Sequence, residues 1–172
     1  MKIKNGPLAA ALVFLSTVFI VCSSSTAYSQ ENKPAAAKET KAEKLLKEIK
    51  VDYAPFNTDN SFVVSYASKE IKQIDVIVIE SENMILFLAD AAAASEVDLT
   101  PAKMKKLLEF NNAADYIKVG ISDLGSIRVS SEQEASRIDA KFFESMLDQI
   151  ANGTEAVAKM IGPIKQKPAA AK

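Results

Sequence analysis

The chain has 172 residues, 48% hydrophobic and 25% charged, a size and composition ordinary for one globular domain with a real core. Its net charge of −1 steers it towards neither nucleic acid nor an anionic membrane surface. It contains no His, which removes the commonest neutral-pH acid/base and metal ligand, and its one Cys, Cys22, lies in the first segment.

That first segment has the three parts of an export signal. Met1-Lys2-Ile3-Lys4 is basic, Leu8–Cys22 is apolar apart from Ser16 and Thr17, and Ser23-Ser24-Ser25-Thr26-Ala27 is small and polar. Cleavage fits after Ala27, with Ser25 at −3, or after Ser29, with Ala27 at −3. The rival reading is a retained anchor, but a run of about 15 residues falls short of the ~20 that a spanning helix needs. Lipid attachment at Cys22 lacks the small residue expected before it, since Phe19-Ile20-Val21 precedes. Removing 1–29 takes Lys2 and Lys4 from the 21 basic residues and nothing from the 22 acidic ones, leaving −3. The exported chain would then have no disulfide, thiolate or soft metal ligand, and no membrane span. The expected location is periplasmic or secreted.

Residues 30–42 are mostly Ala, Lys and Glu and read as a flexible linker. Lys-Pro-Ala-Ala-Ala-Lys occurs at 33–38 and again at 167–172, as low-complexity tethers. A folded domain is expected over 43–163 and a tail over 164–172. Within Glu39–Val51, Ala42, Leu45, Leu46 and Ile49 fall at helical spacing. Pro55 and Asn57-Thr58-Asp59-Asn60 are turn formers, and Ser61–Ala67 is β-branched and aromatic, hence a strand.

Two apolar runs follow, Ile74–Ile79 and Met84–Ala89, joined through Glu80-Ser81-Glu82-Asn83 as a hairpin. They barely alternate, so both faces of each strand should leave water. One residue set holds Ile77, Ile79, Ile85 and Phe87; the other holds Ile74, Val76, Val78, Met84, Leu86 and Leu88. Either the chain's own helices cover both faces, or the sheet curls round one of them, or a second subunit or bound peptide covers one face. The spacing leaves open which set meets the long helix. Ile77, Ile79, Ile85 and Phe87 are taken as the partner face, because that strand opens on Gln73 and Asp75.

Ala91–Ala94 reads as a loop or loose helical turn. Thr100-Pro101 starts a helix carrying Met104, Leu107, Leu108 and Phe110, ending near Asn111-Asn112. Tyr116–Ile121 and Ser126–Ser130 alternate as strands around Ser122-Asp123-Leu124-Gly125, and Ser131–Arg137 reads as a polar loop. Asp139 caps a long helix through Ile161 in which the 3.6 period survives Gly153, and Gly162-Pro163 stops it. The order α-βββ-α-ββ-α defines an α+β domain with a five-stranded, mainly antiparallel sheet.

This order resembles the fold of type III secretion chaperones. The stretch Leu107-Leu108-Glu109-Phe110-Asn111-Asn112, with Tyr116–Val129 after it, resembles the YbjN-type bacterial family of sensory transduction regulators. The resemblance covers about 51–161. It implies a homodimerising, non-catalytic domain that binds protein segments or acts as a regulator. Secretion chaperones are cytosolic, so the export signal sets this chain apart from them.

Chemistry is thinly represented. Asp75, Glu80, Glu82, Asp115 and Asp123 could form an acid/base pair, but three of them sit in turns. Glu80–Asn83 with Asp90 and Glu96 lacks the spacing of a calcium loop, and Lys103, Lys105 and Lys106 lack aromatic neighbours for nucleic acid. No cofactor is implied. The expected function is an exported protein- or peptide-binding or regulatory module, with a small-ligand or lipid carrier as the alternative and a carboxylate enzyme behind both.

Overall fold

Three helix starts are fixed by side chains that accept otherwise unpaired backbone N–H groups. In the computed structural model, which describes residues 39–58 and 60–162, Thr40 Oγ1 accepts from Glu43 N at 3.1 Å and opens α1 (Lys41–Ile49). Thr100 Oγ1 accepts from Lys103 N at 3.3 Å and Pro101 follows, opening α2 (Pro101–Ala113). Asp139 Oδ1 accepts from Phe142 N at 2.7 Å and opens α3 (Ala140–Ile161). Thr100-Pro101 and Asp139 are the starts that the sequence marks. Helix α3 runs unbroken through Gly153 and ends on Gly162, whose positive φ of 75° suits a residue without Cβ. The export segment, the linker before Glu39, both Lys-Pro-Ala-Ala-Ala-Lys repeats and the tail lie outside the described residues.

The strands are β1 (Ala54–Pro55), β2 (Ser61–Ala67), β3 (Gln73–Ser81), β4 (Met84–Ala93), β5 (Lys118–Ile121) and β6 (Ser126–Glu134). They form one sheet in the order β1-β2-β3-β4-β6-β5, and every pairing is antiparallel. The fold class is the α+β expected, with six strands rather than five. The added strand is the two-residue β1, where Pro55 is tolerated because the strand is an edge. Two further extensions correct the loops read from sequence. Strand β4 continues through Ala91–Ala93 before a 3-10 turn at Ala94–Glu96, and β6 continues to Glu134, whose partner is Met84.

All three helices pack on one face of the sheet or at its β5 end. Helix α3 lies across β3, β4 and β6 and buries Phe143, Met146, Leu147, Ile150, Val157 and Ile161. It meets Val64, Ile74, Val76, Val78, Ile85, Phe87, Ile127 and Val129 in one continuous core. Phe87 and Phe143 are both 0% exposed and stack edge to face with centroids 5.2 Å apart. Helix α1 closes one end, where Glu80 Oε2 accepts from Ala42 N at 2.6 Å. Among the described residues no helix is long and apolar enough to cross a membrane.

Strand β5 is the far edge, and α2 covers it with a side chain. The Asn111 amide donates to Val119 O at 2.8 Å and its oxygen accepts from Val119 N at 2.6 Å, occupying both outward backbone groups of that residue. Asn111→Ala is expected to cost about 1–3 kcal/mol, the range for leaving such groups unpaired. Urea unfolding checks it, and Asn111→Asp, which keeps only the acceptor, should fall between.

Candidate partner-binding surface

The register of the central hairpin decides which residues share a face. A two-residue turn, Glu82-Asn83, closes β3 onto β4, so Ser81 faces Met84, Ile79 faces Leu86, and Ile77 faces Leu88. Directly opposed residues lie on the same side of a sheet. A turn of even length therefore sets odd-numbered residues of β3 beside even-numbered residues of β4. This corrects the expected grouping. Ile77 and Ile79 lie on the face away from the helices, whereas Ile85 and Phe87, both 0% exposed, lie in the core under α3. Leu86 and Leu88 take their places beside Ile77 and Ile79.

The helix-free face can be read row by row across the sheet. One row runs Val63, Ile77, Leu88, Ser130, Lys118; the next runs Ser61, Ile79, Leu86, Glu132. Val63, Ile77, Ile79, Met84 and Leu86 are half-buried and Leu88 is 6% exposed, yet none of them joins the core beneath the helices. They form a second apolar layer on the same two strands. That is the two-faced pattern visible in the sequence.

Polar groups bound this patch. At one end Ser65 Oγ and Gln73 Nε2 each donate to Asp75 Oδ1 at 2.6 Å. Beside them Arg128 holds Asp90 bidentately, Nε to Oδ1 at 2.6 Å and Nη2 to Oδ2 at 3.1 Å, and the Asp90 carboxylate raises the Arg128 pKa. Glu132 and Glu134 stand on the β6 side, and Glu134 pairs with Arg137 at 2.8 Å. Lys118 Nζ donates at 2.9 Å to Asn111 O and Ala114 O at the end of α2, so its charge is engaged.

A second apolar surface lies at the β5 end. Leu99, Met104, Leu107, Leu108, Ile121 and Ile127 line a groove of about 130 Å³ between α2 and the β5–β6 hairpin. Leu108 is 65% exposed, Ile121 56%, and Leu124 in the following turn 89%. Helical spacing groups Leu108 with Met104, Leu107 and Phe110, and strand alternation groups Ile121 with Ile117 and Val119. The α2 helix in fact buries only Leu107 fully, because it sits at the sheet's end rather than over it. A cleft between β2 and α3 is lined by Tyr66, Ile74, Asn152 and Glu155. Glu155 accepts from Ser68 Oγ, and from Lys69 N at 2.9 Å, pinning the β2–β3 turn to α3.

The carboxylates considered for catalysis do not converge. Asp75 is on the helix-free face, Glu80 caps α1, Glu82 is in the β3–β4 turn at φ 49°, and Asp115 and Asp123 are exposed elsewhere. Among the described residues no three acidic, His or Cys side chains gather as a metal site; of the residues considered for calcium, Asp90 is held by Arg128 and Glu80 by Ala42. Two of the three lysines of α2 are engaged separately: Lys103 donates to Ile161 O at 2.6 Å and Lys105 pairs with Glu109 at 3.6 Å.

No protein-family model and no curated protein matches this sequence. Solved structures do match. One is a chain of the heterodimeric ExoU–SpcU complex from the type III secretion system of Pseudomonas aeruginosa, at TM-score 0.55 and 15% identity over 69% of this chain and 95% of that one. Another is the Yersinia pestis type III secretion chaperone SycH in complex with a stable fragment of YscM2, at 0.52 and 11% over 68% and 96%. The YbjN structure, from E. coli, matches at 0.47 and 16% over 67% and 84%. The chain has the type III secretion chaperone fold, as the order of its elements suggested.

Proposed function

We propose that this protein is a non-catalytic, chaperone-like module that binds a protein segment on the helix-free face of its sheet, acting in the periplasm or outside the cell. The observation that carries the reading is the layer formed by Ile77, Ile79, Leu86 and Leu88, apolar side chains on the face opposite the helices. Burying such a layer yields roughly 25 cal/mol per Å² of apolar surface. The solved structures of like fold hold protein partners, which supports a protein occupant over a small ligand. The amino-terminal basic, apolar and small-residue pattern supports export.

The homodimer belongs, on this reading, to the second apolar surface at Leu108, Ile121 and Leu124, leaving the sheet face free. A contact of this kind is self-complementary and brings the same three residues together from both copies.

Capture from envelope extract tests the partner face. The double variant Leu86→Ser, Ile79→Ser should unfold within about 1–2 kcal/mol of the parent, since half-buried side chains lose less than core ones. It should recover the partner at least tenfold less well. Equal capture by parent and variant would sink the sheet-face reading.

A further inference from the structure

Resting on the homodimer reading, we propose that each copy inserts Leu124 into the groove beside α2 of the other copy, with Asp123 set against the other copy's Lys105. Three features of one patch meet here. The first is the size of the hole. The groove holds about 130 Å³, close to the roughly 150 Å³ of an apolar cavity that takes up one benzene ring. It has room for one large aliphatic side chain, and not for a helix or a strand.

The second feature is a knob of that size on the same hairpin. Leu124 is 89% exposed, so it does not fill its own groove. It lies three residues after Ile121 and three before Ile127, both of which line the hole. Gly125 N donates to Ser122 O at 2.8 Å, which closes a β-turn with Asp123 and Leu124 as its central residues. A closed turn presents a side chain with little ordering left to lose on contact. The third feature is charge. Helix α2 carries three lysines against one glutamate, a net +2. Among them Lys105 is exposed, directly after Met104 and three residues before Leu108 on the groove wall. The turn carries Asp123, which is exposed and has no cation within ion-pair distance among the described residues; nearby Arg128 is held bidentately by Asp90. A two-fold contact requires a patch that is its own complement. A hole with a knob, and a cation with an anion, on one patch meet that requirement.

Light scattering over a dilution series tests this on the chain as recovered from an expression host. Leu124→Ser and Leu108→Ser should each weaken the dimer at least tenfold, since each removes two apolar contacts per dimer, and Leu124→Ser should leave urea unfolding unchanged. Mixed together, the two variants should form a heterodimer in preference to either homodimer, because one intact knob then meets one intact groove. Asp123→Lys should weaken the dimer about fivefold, less so in high salt, and adding Lys105→Asp should restore it. A parent chain that stays monomeric, or a dimer untouched by either leucine variant, would overturn the homodimer reading and the insertion with it. A dimer broken by Leu108→Ser and not by Leu124→Ser would leave the homodimer reading standing and overturn the insertion. So would mixing without preference, which would mean that Leu124 meets its own counterpart across the axis. A charge exchange no better than the single reversal would overturn the pairing of Asp123 with Lys105.

Discussion

Phe87→Ala is expected to lower the free energy of unfolding by about 3–5 kcal/mol, the range for a phenylalanine removed from a packed core. Its ring is 0% exposed, stacks on Phe143 and lies where α3 crosses β4. The neighbouring Leu86, on the other face of the same strand, is half-buried and outside the core, so Leu86→Ala should cost about 1 kcal/mol or less. Urea denaturation of the two variants measures the contrast. Equal losses would mean that both faces of β4 are sealed by this chain, which would remove the physical basis for a partner. A charged residue at 87 is accordingly no probe of binding: Phe87→Asp should leave the chain unfolded, and any lost interaction would follow from that.

Local chemistry in the sequence reached much of this fold. Thr100-Pro101 and Asp139 announce helix starts because a cap is a contact between residues three apart. Gly153 does not break α3 because the apolar period carries across it. What local pattern missed depends on partners distant in sequence. Ser131–Glu134 is polar and reads as a loop, yet it is strand because Met84–Phe87 lies alongside. Ala54-Pro55 pairs with Phe62 and Val63 despite its turn-forming company. Asn111 reads as a helix stop, and its second use, pairing both backbone groups of Val119, is visible only once α2 and β5 are side by side.

The candidate site shows the same division. That the central strands are apolar on both sides is written in Ile74–Ile79 and Met84–Ala89. Which residues share a side depends on the hairpin. Residue numbers of like parity continue one face only within a strand; across the Glu82-Asn83 turn the parity inverts. Grouping Ile85 and Phe87 with Ile77 and Ile79 ignores that inversion. The exposed Leu108, Ile121 and Leu124 were each visible as apolar, but their exposure depends on α2 lying beyond the sheet's edge.

Gly153→Val should destabilise the fold by about 3 kcal/mol, at the upper end of the overpacking range. Gly153 is the one position of α3 where the helix meets its neighbours with no side chain between. A Cβ placed there would lie 2.4 Å from Ile117 Cδ1, 3.4 Å from Val129 Cγ1 and 3.5 Å from Phe110 Cζ. Alanine is the informative comparison. It gains about 1 kcal/mol of helix propensity over glycine, and the atom it displaces is the free end of Ile117, which can rotate. The two effects oppose each other, so Gly153→Ala should fall within about 1 kcal/mol of the parent, whereas valine adds two further methyl groups against Val129 and Phe110. The second variant Ile117→Val should recover part of the loss in Gly153→Val by removing the methyl that collides first. Thermal and urea unfolding of the four proteins measure the series. A valine variant as stable as the parent would show that α3 does not approach the β5–β6 hairpin this closely. Because Phe110 joins α2 to the same contact, a loosened Gly153 site should also weaken the α2 seat, and amide exchange at Val119 should quicken with it.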